Sequence, residues 1–401
     1  MTDIKIAPGP LSGIRVLDFT TVLSGPYCTR LLADLGAEVL KIEPPEGDHK
    51  RLVPPLRSGH GSTFAHVNSG KKSVVLDLKS PEGAQAACEL SARSAVVVQN
   101  WRPDVAVRLG LDYTALSKEN PALVYCAISG YGQEGERAMR PAYAPIVHAA
   151  SGYELAQMQY QPGATEPAAT GIFIADIFAG MSAFGAINAA LLRRQRTGRG
   201  QFIDVSMYDG MLNLLMFEWH QAQFFEVPRR IYPPLRASDG FIVVAPVTQR
   251  NFHALADCIG RPEIKSDPRF SSPSARVSNW QELMVLAAEW VRERTAQECE
   301  ELMTAHQVPC ARYRTVAESL SDPALAERGS LATVVDGAGD VLIPTAPWQM
   351  PGVDARPRTD VPALGASTEE VLSELLGYGK ETIRACQGSR TKEPPQVAPV
   401  K

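Results

Sequence analysis

The chain of 401 residues exceeds one typical domain, and 45% hydrophobic against 21% charged content is ordinary for a globular protein with a real core. A net charge of −4 excludes a general nucleic-acid or membrane-surface footprint. Seven cysteines, odd in number and without a CxxC pair, favour reduced thiols in a cytoplasm over a disulfide frame or a zinc site.

The opening "MTDIKIAPGPLSG" lacks the basic start and apolar core of a signal peptide. "GIRVLDF" (13–19) is a short apolar run bounded by glycine and reads as a buried strand. The loop "TTVLSG" leads into "PYCTRLLADLG", where Pro26 suits a first helical turn and Gly36 a C-terminal cap. "AEVLKIE" (37–43) completes a βαβ unit, and the pattern recurs. "KSVVLDL" reads as a strand, Ser80-Pro81-Glu82 opens a helix to about Ala92, and "SAVVVQN" reads as the next strand. Helical stretches from Pro103 to Gly110 and near Tyr113–Glu119 lead to "LVYCAISGYG". Such alternation predicts an α/β fold with a largely parallel, doubly wound sheet, whose ligands bind at the carboxyl ends of the strands. The loops after Phe19, Glu43, Gln99 and Ile128 are therefore the candidates.

No GxGxxG follows the first strand and no GxxxxGK[ST] occurs, so nicotinamide and nucleoside-triphosphate chemistry lose ground. "GYGQEG" (130–135) has the wrong spacing for a phosphate loop and reads as a turn shaped by glycine. "PAATGIFIADIFAGMSAFGAINAALLRR" (167–194) then holds one acid, Asp176, in a run of small and apolar residues. Gly171 to Leu192 is long enough to span a bilayer, but Asp176, Ser182, Asn188 and its glycines favour a buried core helix, and no membrane partner is expected. Next come a basic turn, a strand in "GQFIDVS" and a second long helix to Phe224.

A proline- and arginine-rich stretch, 226–240, reads as a crossing between domains, followed by a strand pair around "GFIVVAP" and several amphipathic helices. The expected organisation is a large domain over 1–225, a small α+β domain with its linker over 226–330, and a return linker with the end of the large domain over 331–401. "STEEVLSELLGYGKETIRACQ" is a final helical region, and a disordered tail is expected from about 388.

The histidines show no metal-ligand spacing, no metal is expected, and no GxSxG elbow appears. Cys28 lies at a helix start, where a thiolate is favoured, but a packed small hydrophobe is the simpler account of it. Asp176 is the leading candidate. A carboxylate in such surroundings serves as covalent nucleophile, as general base, or as a hydrogen-bonded helix start.

Several strings resemble the class III CoA-transferases of the formyl-CoA transferase type. They include "PLSGIRVLDFTTVLSGPYCTRLLADLGAEVLKIEPP", "GKKSVVLDLKSPEG", "VVVQNWRPDVAVRLGLDYTALSKENPALVYCAISGYGQEG" and "TGRGQFIDVSMYDGML". "DPRF", "HQVPCARYRTVAESLSDPALAERG" and "LGASTEEVLSEL" extend the similarity over nearly the whole chain. The family's Pro-x3-Gly-x4-Asp-x3-Gly segment is matched by Pro167, Gly171, Asp176 and Gly180. The resemblance implies a Rossmann-like large domain, a smaller domain joined by two crossings, and an interlocked, ring-like homodimer. It also implies that Asp176 carries first an acyl group and then coenzyme A. Positions matching the family's CoA contacts are Val22, Leu23 and Ser24, then Leu76 to Lys79, then Asn100, Trp101 and Arg102, then Arg108, and the segment around Arg140 and Tyr143. Arg108 and Arg140 have an equally plain reading as solvated charges.

The chain departs from the pattern. Leu23 replaces a glutamine and Pro44 an arginine, and "LRASDGFIVVAPVTQ" stands where a glycine-rich loop is expected, which argues against oxalate as acceptor. Ala144 replaces an acid. Racemases of the superfamily carry a histidine at the Tyr143 position, and a phenol is a poor base at neutral pH. His148 is the remaining second base, though a helical run from Tyr143 would place it off to one side. The expected activity is transfer of CoA from an acyl-CoA, with succinyl-CoA the candidate donor, to a small carboxylic acid. An acyl-CoA racemase and a non-catalytic CoA-binding protein are the alternatives. Arginines 229, 230, 236 and 250 are candidates for holding a second carboxylate, or plain surface charge.

Overall fold

The computed structural model describes residues 7–224 and 230–388. The chain divides into two compact units, one built from 1–216 and 325–401, the other from 217–324. Arg229 and the tail beyond residue 388 lie outside the described residues.

In the first unit β1 (Arg15–Asp18), α1 (Ser24–Asp34) and β2 (Glu38–Glu43) form the expected βαβ. β3 (Leu56–Arg57) and β4 (His60–Gly61) make a two-residue ladder before α2 (Ser62–Asn68). Then come β5 (Lys72–Val75), α3 (Pro81–Ala92), β6 (Val96–Gln99), α4 (Pro103–Arg108), α5 (Tyr113–Glu119) and β7 (Val124–Ser129). α6 (Ala144–Ser151), α7 (Tyr153–Gln159), α8 (Ile174–Thr197), β8 (Gln201–Ser206) and α9 (Met207–Leu214) follow. Local chemistry sets the boundaries. Ser80 accepts from the Gly83 N–H, with Pro81 at the first turn of α3, and Asp112 accepts from the Ala115 N–H to start α5.

Six parallel strands lie in the order β5-β2-β1-β6-β7-β8. All residues of β6 and β7 are buried, which is why these strands read as unbroken apolar runs. Successive side chains go to opposite faces. Val16, Val96 and Val98 join Cys28, Leu32, Ala179, Ala183 and Ile187 on one side. Leu17, Leu40 and Val97 join Ala86, Leu90, Val371 and Ile383 on the other. α8 is long and apolar enough to span a bilayer by length and composition, but its buried residues belong to the first of these cores.

The end of the chain completes this unit. A hairpin, Leu331–Asp336 with Gly339–Pro344, occupies the start of the stretch read as a return linker, and Val334 and Ile343 pack on Ala65 of α2. Residues 365–386 then dress the free side of β5. Gly365 N–H donates to Ser73 Oγ, Ser367 N–H to Ser73 O, and Val75 N–H to Thr368 Oγ1. The final helical region is two helices, Thr368–Leu376 and Lys380–Gln387, because Gly377 closes the first in a left-handed cap.

In the second unit the expected strand pair is a three-stranded antiparallel sheet. β9 (Leu235–Arg236) and β11 (Cys310–Arg312) flank β10 (Phe241–Val244). Its core gathers Ile242, Val244, Phe252, Leu255, Leu283, Ala287, Cys299 and Met303. The long helix expected after β8 is broken at Leu215 into Met207–Leu214 and Met216–Gln223.

Candidate active site

β1 pairs with β2 on one side and β6 on the other, so the chain's winding reverses between β1 and β6. The loops after these strands therefore part and leave a crevice, where sheets of this kind take ligands. The two loops are clasped together. Thr21 N–H donates to Asn100 Oδ1 at 2.9 Å, and Asn100 Nδ2 donates back to Thr21 O at 2.8 Å. Trp101 packs on Phe19, ring centroids 5.1 Å apart. Next to this clasp Val22 adopts φ +72°, a left-handed conformation that costs a β-branched residue about 1–3 kcal/mol.

A buried ionic layer supports the loop from below. Asp18 accepts from Lys71 Nζ at 2.9 Å, Thr29 Oγ1 at 2.6 Å and Thr20 N–H at 2.9 Å. Lys41 Nζ donates to Thr20 O at 2.9 Å and Asp48 Oδ2 at 3.0 Å. Burial works to raise the Asp18 carboxyl, but the ammonium groups of Lys71 and Lys41 with the Thr20 and Thr29 hydroxyls hold it down at about 2.

Asp176 sits in the first turn of α8, partly buried. The N-terminus of α8 meets that of α1 because residue 180 is glycine: a Cβ there would lie 2.6 Å from Ser24 O and 3.2 Å from Tyr27 Cδ1. The Ser24 hydroxyl and backbone N–H consequently face the Asp176 carboxyl and favour its anion. Burial raises its pKa to about 6, opposed by the Ser24 donors and by the charge of Lys50. Two helix N-termini and a lysine favour an anion here, against the penalty of burial.

His148, fully buried in α6, reaches the same helix start. Its Nε2 accepts from the Ala175 N–H at 3.1 Å, and Nδ1 faces Thr170 Oγ1 at 3.3 Å and Glu154 Oε1 at 3.5 Å. No side chain of the N-cap residue Phe173 serves α8. The sequence marks His148 only as a second base; its capping role depends on a fold that brings α6 to α8.

The structure brings Val22, Leu23, Ser24, Asn100 and Trp101 to the crevice with Asp176. Leu76 follows β5 fully buried, its side chain part of the core, and Lys79 beyond it is exposed. Arg102 is exposed at the start of α4. Arg108 pairs with Asp104 at 3.2 Å and Arg140 with Glu136 at 3.4 Å, both on exposed surface, and Tyr143 is exposed at the start of α6. In the second unit Arg230 lies over Trp280, Arg236 over Phe241, and Arg250 bonds Gln307. Among the described residues no group of three or more His, Cys, Asp or Glu side chains is placed to hold a metal ion. Asp18, Lys71 and Lys41 escaped the sequence reading, since nothing in "VLDF" or "GKKS" distinguishes a buried ion pair from surface charge.

The profile of CoA-transferase family III matches residues 11–368. The chain is similar to the succinyl-CoA–L-malate CoA-transferase beta subunit of Chloroflexus aurantiacus, 32% identical, with 95% of this chain and 98% of that protein covered. It is similar also to the succinate–glutarate CoA-transferase of Agrobacterium fabrum, 33% identical over 94% and 98% of the two chains. Among solved structures, a CaiB/BaiF family protein from Brucella suis superposes with a TM-score of 0.78 at 30% identity, covering 92% of this chain and all of that one.

Proposed function

The chain belongs to CoA-transferase family III, and on that premise we propose that it moves CoA from succinyl-CoA to a C4–C5 dicarboxylic acid through Asp176. The names of the relatives, with malate and glutarate as acceptors, support this substrate class. The observation that carries the reading is the position of Asp176, a partly buried carboxylate with a pKa of about 6 where two helix N-termini meet.

An Asp176 carboxylate oxygen attacks the thioester carbonyl carbon; the C–S bond breaks, giving a mixed anhydride and the CoA thiolate. The thiolate attacks the Asp176 side-chain carbonyl and expels succinate, leaving an aspartyl thioester. The acceptor carboxylate attacks this thioester, and the thiolate released returns to the acceptor's acyl carbon, restoring Asp176 and forming the new acyl-CoA. Each tetrahedral intermediate carries an oxyanion, for which the glycine-rich backbone near 130–135 and Gly171 offers N–H donors. Lys79, Arg102, Arg108 and Arg140 supply cations for the CoA phosphates.

Racemisation needs a second base. Tyr143 is exposed, and the Nε2 lone pair of His148 is engaged by the Ala175 N–H, which supports transfer over racemisation. Retained folding by Asp176→Ala distinguishes this reading from a purely structural acid, and a cytoplasmic homodimer completes it, in keeping with seven free cysteines. Asp176→Ala is expected to abolish turnover, while succinyl-CoA with hydroxylamine converts wild-type Asp176 alone to a hydroxamate detected by mass spectrometry. Normal turnover by the alanine variant defeats the assignment.

A further inference from the structure

The start of α8 has four backbone N–H groups with no partner inside the helix, and its own N-cap side chain supplies none. One of them, at Ala175, points to a histidine ring from another helix. Resting on the reading of Asp176 as nucleophile, we infer that His148 is a positioning residue, a neutral cap supplied by α6 that fixes the α8 turn carrying Asp176. Three features of the geometry carry the inference.

First, the bond is made to the residue directly before Asp176, so any shift of the Ala175 amide is passed through one peptide to the reactive carboxylate. Second, the ring spans the approach to the helix. Nδ1 lies by Thr170, and Nε2 by Ala175, so both ends of the exposed segment Gly171–Phe173 are tied to one rigid side chain. Third, the donor and acceptor roles are fixed. Nε2 accepts from a backbone N–H, so the ring proton sits on Nδ1, where Thr170 Oγ1 and Glu154 Oε1 are the acceptors. Tyr153 packs against the ring, centroids 5.5 Å apart, and the ring has no exposed surface. Such a cap leaves the α8 macrodipole directed at the Asp176–Ser24 contact rather than neutralised by a second carboxylate.

Two amide replacements separate the two nitrogens. Glutamine places its Oε1 near the Nε2 position and retains the acceptor for Ala175. Asparagine reaches only the Nδ1 position, keeping the Thr170 side and losing Ala175. Displacement of a reacting group by about 1 Å costs on the order of 100-fold in rate. His148→Asn is therefore expected to lower kcat about 10- to 100-fold with KM for succinyl-CoA within about threefold of wild type. His148→Gln should stay within about fivefold of wild type in both. Circular dichroism melts establish that both variants are folded. Equal loss in the two variants, or wild-type kcat in His148→Asn, overturns the positioning role. Failure of the underlying nucleophile assignment reads differently, as turnover without any hydroxamate at Asp176 in the wild type.

Discussion

Asp176 is held in a conflict that has a thermodynamic signature. Its carboxyl titrates near pH 6 in the folded chain, against an ordinary value of 3.8, because burial disfavours the anion more than Ser24 and Lys50 favour it. The folded state therefore binds the proton more tightly than the unfolded state does. Its contribution to stability is full below about pH 4 and is lost as the pH rises through about 6. Asp176→Asn removes the penalty: the variant should be about 1–3 kcal/mol more stable than wild type at pH 8 and no more stable at pH 3.5. Urea melts at the two pH values measure this, and an equal shift at both contradicts the burial account. Activity runs the other way. In the proposed nucleophilic role attack requires the carboxylate, so kcat/KM should rise with pH through about 6.

At the scale of elements, the crevice loop rests on buried charge. Asp18 neutralises Lys71 in a buried layer that also contains Lys41, so removing its charge takes away the salt-bridge partner of Lys71 and leaves Lys41 with Asp48 and the charge of Glu43. Asp18→Asn is expected to cost about 3 kcal/mol or more, read as a fall in the urea midpoint, and an unchanged midpoint refutes the layer's role. The elements themselves were largely legible. Continuous apolar strands, Ser80-Pro81 before α3 and the glycine after α1 are local signals, and the structure follows them within three residues, α1 starting at Ser24 rather than Pro26 and β5 ending at Val75 rather than Leu78. Asp176 was legible for a related reason, as a solitary acid in an apolar helix. What escaped is non-local: the Asn100–Thr21 clasp, the Asp18–Lys71 pair over 53 residues of sequence, and the His148 cap. None of these leaves a periodic trace, because each joins residues that only the sheet's topology makes neighbours. The break at Leu215 carries no sequence mark, since no proline or glycine stands between Met211 and Gln223.

At the scale of the whole molecule, the first unit displays apolar side chains that a solitary chain would bury. Tyr143 and Ile146 on α6, Leu155 on α7, and Ile172, Phe173 and Ile177 at the start of α8 are all exposed, Ile172 at 77%. Exposed large apolar side chains of this kind fit association with a second copy. Sedimentation should give one species of twice the chain's mass that persists on dilution, whereas a stable folded monomer contradicts the homodimer. The hairpin and the residues that dress β5 have a separate consequence, which concerns the order of synthesis. β5 is an edge strand, and its outer partners, Gly365 to Thr368, leave the ribosome almost 300 residues after it. From the emergence of β8 at Ser206 until then, a complete parallel sheet presents an open edge, the template on which unfolded chains aggregate. A segment translated long after the strand it covers thus closes the first sheet begun, and a chain released before Gly365 would keep its core strands yet remain exposed along that edge.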